Sequence, residues 1–288
     1  MTSMTTDIIR IGRIEYTNVW PVFQQFDPQR LGFPAELVTQ VPAELNRRIQ
    51  EGAIDIAAIS SYAYAQAADD LLLLPGLSVS AYGRVRSVLL FHRKPLAEVA
   101  SGTVALTRSS ATSVNLLKII LAKRYGGSPS YVTMKPDLDR MMSSADAALL
   151  IGDDAIKASW ANTGYEVTDL ASEWTSWTGH WMTFAVWAVR RSLAESRPDM
   201  VSAVVRAFQE SKEKGRRNRS AVVNQAMSAF GGTEAYWNEY FDGLSHDFGA
   251  GQQAGLAAYL RYARELGLLE RDVPLRIWND TTVAQVNE

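Results

Sequence analysis

Along the first seventy residues the apolar positions change period in a regular way. IIRIGRIEYTN alternates apolar and polar side chains as a strand does and breaks at Thr17, Asn18 and Pro21. AELVTQV reads as a second strand. In PAELNRRIQEG the period lengthens: Leu45, Ile49 and Ala53 lie at helical spacing, with Pro42 near the start and Gly52 at the stop. IDIAAIS is then a short buried strand and SSYAYAQAADD another helix. Strand, helix, strand is a βαβ unit, which predicts parallel pairing.

The same order recurs. GTVALT reads as a strand, SSATSVNLLKIILAKRYGG as a helix closed by Gly126 and Gly127, SYVTMKP as a strand and DLDRMMSSA as a helix. ADAALLIGDDAIKA then repeats the pattern of GAIDIAAISSYAYA: a small or acidic residue, a buried strand, a polar turn, a helix. Two similar lobes are the economical interpretation. MTFAVWAVRR reads as a strand returning to the first lobe. The rest is helical, beginning with PDMVSAVVRAFQESKEKG and continuing near 220–230, 233–243 and 252–267. The expected organisation is α/β with two lobes, residues 1–93 plus 185–288 and residues 94–184. Crossovers near Arg93 to Pro95 and near 182–191 would form a hinge with a cleft beneath it.

Ligands of open α/β sheets bind beyond the carboxyl ends of the strands, and here those turns are polar. They are YTN at 16–18, Ser60 and Ser61, Arg86 and Ser87, TRSSATSV at 107–114, and IGDD at 151–154. TRSSATSV sets five hydroxyls at the mouth of a helix. Unpaired N–H groups at a helix start carry partial positive charge, so these hydroxyls and the first-turn amides suit a carboxylate or phosphate. Capping alone needs one hydroxyl. With no GxxxxGK[ST] or GxGxxG pattern, a nucleotide is not expected. Ser60 and Asp153 also read as helix caps.

Composition narrows the function classes. The 288 residues are 47% hydrophobic and 21% charged, as in ordinary globular proteins, and a net charge of −2 gives no general attraction for nucleic acid or membrane. An anion must therefore be held by local dipoles. There is no cysteine, which excludes disulfides, thiolate metal sites and a cysteine nucleophile. No run reaches the roughly 18 apolar residues of a membrane span, and MTSMTTDIIRIG lacks the marks of a signal peptide; a cytoplasmic location is expected. His92, His180 and His246 stand apart from any HExxH or carboxylate spacing, so no metal is expected, and no GxSxG elbow supports a serine triad. His180, among the tryptophans of EWTSWTGHWMTF, is a candidate for the cleft wall. The basic run Lys212, Lys214, Arg216, Arg217 and Arg219 reads as a solvated helix end.

Taken in order, IGRIEYTNVWPVF, GAIDIAAISSYAYA, RSVLLF, VALTRSSATSVNLLKIIL, ADAALLIGDDAI and DLASEWTSWTGHWMTFAVWAVRR resemble the menaquinone-biosynthesis family of the futalosine route. The resemblance spans roughly residues 8–191. It implies a two-lobed fold like that of type II periplasmic binding proteins. It also implies a hydro-lyase that removes water from chorismate to give 3-[(1-carboxyvinyl)oxy]benzoate, without metal or organic cofactor. Matching positions would put the family's substrate-binding Asn at Asn18, its Ser before the hinge strand at Ser87, and its hydroxyl-rich helix start at Ser110, Thr112 and Ser113. Asn18 and Ser87 are the expected catalytic residues; Ser60, Gly152, Asp153 and His180 complete the expected substrate site. The sequence departs from the family where His180 and Trp181 precede MTFAVWA.

A dianion such as chorismate suits a cleft of hydroxyls and helix N-termini. No protein base stands out among the motif residues, so the substrate's own enolpyruvyl carboxylate is the expected proton acceptor, with Asp153 as the protein-side alternative. The competing reading is a binding or sensory protein that closes on a small carboxylate without chemistry; residues 1–7 are too short for the signal peptide or DNA-binding segment it would be expected to carry. The sister lyase that makes 1,4-dihydroxy-6-naphthoate opens on a Ser-Pro-Cys-Pro-Asn-Asp type stretch, which YTNVWP does not match. The expected partner is a small molecule, with no nucleic acid and no membrane; the sequence leaves the oligomeric state open.

Overall fold

The structure, a computed structural model, describes residues 8–161 and 164–279; the N-terminal stretch read above for a signal peptide lies largely outside them. Among the described residues, ten strands form two five-stranded sheets. The first contains β1 (Ile9–Ile14), β2 (Ala35–Gln40), β3 (Ile56–Ser60), β4 (Leu71–Ala81) and β10 (Met182–Arg190), in the order β2-β1-β3-β10-β4. The second contains β5 (Val88–His92), β6 (Thr103–Thr107), β7 (Ser130–Met134), β8 (Ala147–Ile151) and β9 (Glu166–Asp169), in the order β7-β6-β8-β5-β9.

The two orders are one pattern used twice. In each sheet a central strand pairs in parallel with two neighbours: β1 with β2 and β3, and β6 with β7 and β8. In each, one antiparallel strand follows: β10 against β3, and β5 against β8. The helices Pro42–Gln50, between β2 and β3, and Leu138–Ser144, between β7 and β8, provide the equivalent crossovers. The sequence repeat is thus a structural repeat.

The crossovers differ from expectation. Val88–His92 lies in the second sheet, paired with β8 from Val88↔Ile151 to His92↔Ala147, so the chain changes sheets between Ala81 and Val88, before Arg93–Pro95. It returns between Asp169 and Met182, because Met182–Phe184 already belong to β10 of the first sheet. A wholly apolar strand such as VLLF has no solvent face to announce which sheet buries it. One carboxylate ties the two crossovers. Asp169 accepts N–H groups from Val85 at 3.0 Å and Arg86 at 2.7 Å on one oxygen, and from Ala171 at 3.0 Å and Ser172 at 3.2 Å on the other.

The sequence pattern does not predict strand β4, since LLLLPGLSVSA carries Pro75 and Gly76 at its middle. It is an edge strand whose pairing with β10 is irregular between Ser78 and Leu73, where a proline costs no ladder bond. The C-terminal helices Pro198–Arg217, Arg219–Phe230, Glu234–Gly243 and Ala250–Glu265 pack on the first lobe and complete its core. There Phe23, Phe26, Trp187 and Phe208 form one aromatic cluster. The basic run is not wholly solvated: Lys212 is buried and donates to the Gly76 carbonyl and to Asp247 at 2.8 and 2.7 Å. Among the described residues no helix is long and apolar enough to cross a membrane.

Candidate functional site

The carboxyl ends of β1, β3, β6 and β8 point toward the space between the lobes, and the turns that follow them meet there. A narrow cleft is lined by Tyr16 and Asn18 after β1, Ser60 at the end of β3, Ser110 and Ser113 after β6, and Gly152 after β8. Because β5 and β10 run antiparallel to these strands, their first residues reach the same end; Ser87, Val88, Phe184 and Ala185 complete the wall. Among the described residues, no Lys, Arg, His, Asp or Glu lines this cleft. Its walls are mostly apolar, including Ile14, Val79, Ile151 and Phe184, and the polar remainder includes hydroxyls and one amide.

The hydrogen-bond partners fix what the hydroxyls can offer. Ser60 Oγ accepts from Ala63 N–H at 3.2 Å and from the Asn46 side-chain amide at 3.1 Å. Both lone pairs are used, so its hydrogen can be given to a ligand. Ser110 Oγ accepts from Ser113 N–H and donates to Ser113 Oγ, both at 3.1 Å, which leaves the Ser113 hydrogen free in the same way. Capping and ligand-facing roles therefore coexist in TRSSATSV. Asn18 Oδ1 is buried and has no hydrogen-bond partner among the described residues. A buried amide oxygen left unpaired costs about 1–3 kcal/mol, a cost that a ligand donor would remove.

Several expected residues lie elsewhere. Thr112 does not line the cleft: its Oγ1 accepts the Tyr62 N–H at 2.9 Å and its carbonyl accepts the Tyr259 hydroxyl at 3.1 Å, so it joins the second lobe to the first. Its place in the first helical turn points it away from the side that Ser110 and Ser113 share. Thr107 and Ser109 bond each other. His180 sits half-buried in the return crossover, away from the lining, with its backbone bonded to Thr175 and Thr178. The left-handed Gly179 that ends the preceding helix sets that course. Gly152 lines the cleft, but its N–H is given to the Ser87 carbonyl at 2.7 Å and is not available to a ligand.

Asp153 stands behind the cleft wall. It caps no helix end; its carboxylate accepts the Thr17 hydroxyl at 2.6 Å and the Thr17 N–H at 3.3 Å on each oxygen, binding the lobes across the cleft. Burial pushes its acid constant up to about 6, against the opposing pull of the Thr17 bonds. His246 is fully enclosed, and burial lowers it to about 4. A neutral imidazole facing a carbonyl must carry its proton on Nε2, which donates to the Asn18 carbonyl at 2.6 Å. Sequence reasoning set His246 aside as isolated, and nothing in its neighbours announces a contact 228 residues away. Tyr16 and Thr17 were visible as part of the YTN turn; Tyr240 gave no signal.

Gly152 has φ +61°, and a Cβ there would lie 2.9 Å from the Tyr16 ring. Gly152→Ala is expected to lower stability by about 1–3 kcal/mol through left-handed strain and displacement of Tyr16. Because Tyr16 is cleft wall, ligand affinity should fall with it. Thermal unfolding and titration calorimetry check both, and unchanged values would mean the ring moves freely. A more open groove at the hinge, lined by Arg84, Arg86, Glu173 and Tyr236, contains Asp169, but that carboxylate is consumed by four backbone donors.

Among relatives of known activity, the chorismate dehydratase of Thermus thermophilus is 36% identical over 273 residues, 90% of this chain and 95% of that one. Among solved structures, a protein of Archaeoglobus fulgidus superposes with a TM-score of 0.74 at 20% identity, covering 91% of this chain and 98% of the other. The periplasmic aliphatic sulphonate binding protein of Escherichia coli gives 0.68 at 18% identity, covering 95% and 92%. These likenesses show a two-lobed fold of the periplasmic-binding-protein type. Residues 9–265 match the model of the menaquinone biosynthesis family, and with that extent of match the chain belongs to it.

Proposed function

We propose that the protein dehydrates chorismate to 3-[(1-carboxyvinyl)oxy]benzoate, as a carbon–oxygen lyase of the futalosine route that needs no metal or organic cofactor. The observation that carries this reading is the cleft itself: a largely apolar space with the unpaired Asn18 oxygen and the free hydrogens of Ser60 and Ser113 in its wall. The apolar walls suit a cyclohexadiene ring once the lobes part. Its carboxylates match hydroxyl donors, and its ring hydroxyl matches the Asn18 oxygen. Without a cation in the wall, anion binding rests on fixed dipoles that need no reorganisation during the reaction.

Loss of the proton from the ether-bearing ring carbon and of the neighbouring hydroxyl makes the ring aromatic, so the driving force lies in the substrate. The protein's task is to hold one geometry in a desolvated space. In this reading the enolpyruvyl carboxylate takes the proton, because no basic side chain lines the cleft. Asn18 and Ser87 orient the reacting end, and Ser60 and Ser113 give their hydrogens to the carboxylates, with Ser110 holding Ser113 in place. Thr17–Asp153 and Tyr62–Thr112 then act as closing contacts between lobes that rotate about residues 82–87 and 170–181.

Purified, chelator-treated protein is expected to convert chorismate to a product lighter by one water. The ultraviolet spectrum should change from that of a cyclohexadiene to that of a benzoate. Binding without any spectral or mass change would favour a non-catalytic carboxylate-binding protein. Activity lost on chelation and restored by a divalent ion would overturn the cofactor-independent part.

A further inference from the structure

A line of hydroxyls runs from the cleft wall to the buried carboxylate. Thr17 Oγ1 is 2.6 Å from Asp153 Oδ1 and 3.5 Å from the Tyr240 hydroxyl; the Tyr240 hydroxyl is 3.4 Å from Ser87 Oγ, which faces the cleft and lies 3.3 Å from the Val85 carbonyl. Thr17, Tyr240, Ser87 and Asp153 are exposed by 0, 1, 2 and 8% respectively, so solvent does not interrupt the line. The four residues come from four different segments.

Each hydroxyl has one hydrogen, and that restriction couples them. With Asp153 ionised, Thr17 gives its hydrogen to the carboxylate, the shortest and charge-assisted bond of the set. Thr17 can then only accept from Tyr240, and the Tyr240 oxygen can accept from Ser87. Ser87 is left with a lone pair toward the cleft. With Asp153 protonated the order reverses: the acid donates to Thr17, Thr17 to Tyr240 and Tyr240 to Ser87, and the Ser87 hydrogen is released to Val85 or the cleft.

We propose that Tyr240, through Thr17, ties the direction of the Ser87 hydroxyl to the charge on Asp153, so that ionised Asp153 makes Ser87 an acceptor for a hydroxyl group of the bound ligand. Tyr240 is a positioning residue in this scheme, and Asp153 acts at a distance. The proposal rests on the chorismate reading only for the identity of that ligand. It also gives a reason for a carboxylate that is buried yet absent from the cleft wall. Asp153 faces Asp154 and Lys157 on its own helix, Tyr16 and Thr17 from the turn after β1, and Tyr236 and Tyr240 from the helix Glu234–Gly243. The three tyrosines are held neutral by burial, and Lys157 lies over the Phe230 ring. Asp154, also raised by burial, is the one other carboxyl of the group and serves as the control.

The test is the pH profile of kcat/KM for chorismate between pH 5 and 8, in wild type, Tyr240→Phe and Asp154→Asn, with near-ultraviolet circular dichroism to establish that the variants are folded. Wild type is expected to rise through a midpoint of about 6 and level off. Asp154→Asn should keep that limb. Tyr240→Phe should lose about tenfold at pH 8, the size of one hydrogen bond to a ligand, and be flat through pH 6. A Tyr240→Phe profile with the wild-type limb would overturn the proposal, as would loss of the limb in Asp154→Asn.

Should wild type leave chorismate unchanged, the substrate reading fails and the coupling is still measurable. Carboxyl carbon NMR then follows the Asp153 titration directly. Tyr240→Phe should move its midpoint upward, because the ionised form loses a donor relayed through Thr17. An unmoved midpoint would sink the coupling.

Discussion

Asn18→Leu is expected to lower kcat for chorismate by about 10²- to 10³-fold while affinity changes by less than tenfold. Losses of that size are typical when one fixed polar group aimed at a reacting centre is removed. Leucine is close to asparagine in shape, so the cleft wall survives and the carboxylate-holding hydroxyls are untouched. What disappears is an amide oxygen with no other partner, on a backbone that His246 holds by its carbonyl. An interaction needed mainly in the transition state shows in turnover more than in binding. Stability should hold or rise, since the variant removes a buried unsatisfied atom. Steady-state kinetics beside calorimetric titration separates the effects. Wild-type turnover in this variant would remove Asn18 from the chemistry.

Asp153→Asn should make the protein more stable at neutral pH and leave most of its activity in place. A carboxyl whose folded acid constant lies at about 6, above its usual 3.8, binds its proton more tightly folded than unfolded. Its ionisation therefore costs stability above pH 6, while below about pH 4, where both states are protonated, the cost vanishes. At about 1.4 kcal/mol for each tenfold difference in proton affinity, the penalty amounts to about 3 kcal/mol at most. Asparagine keeps an acceptor for Thr17 and carries no charge, so its advantage should appear between pH 4 and 6 on the rising side and persist at pH 7. Denaturant unfolding at pH 4 and pH 7 measures it. Activity should stay within about tenfold of wild type and lose its limb near pH 6 if Asp153 only directs Ser87, because the asparagine oxygen keeps the Thr17 hydroxyl turned toward it. A far larger fall in kcat with intact binding would instead make Asp153 the base, in place of the substrate carboxylate. A destabilised variant would mean that the Thr17 bonds outweigh burial.

Local sequence determined most of the elements, because each of those carries its own period and punctuation. Leu45 and Ile49 mark a helix that Gly52 ends, and the five buried residues of IAAIS and of AALLI mark central strands, so the doubled βαβ plan could be read directly. The turns after those strands were also legible as site-forming, since parallel strands send their carboxyl ends to one side. Asn18, Ser60, Ser87, Ser110, Ser113 and Gly152 do meet in one cleft. What period and punctuation cannot carry is the partner of each side chain. VLLFH would be equally buried in either sheet, and only pairing with β8 placed the crossover before it. Thr112 and Ser113 are neighbours of one chemical type, yet the helix turns them about 100° apart, one toward Tyr62 of the other lobe and one toward the cleft. Asp153, Thr17, Tyr240 and Ser87 lie up to 223 residues apart along the chain. They form one hydrogen-bonded line because the lobes close on them and exclude water, and that burial both raises the acid constant of Asp153 and decides which hydroxyl each hydrogen can reach.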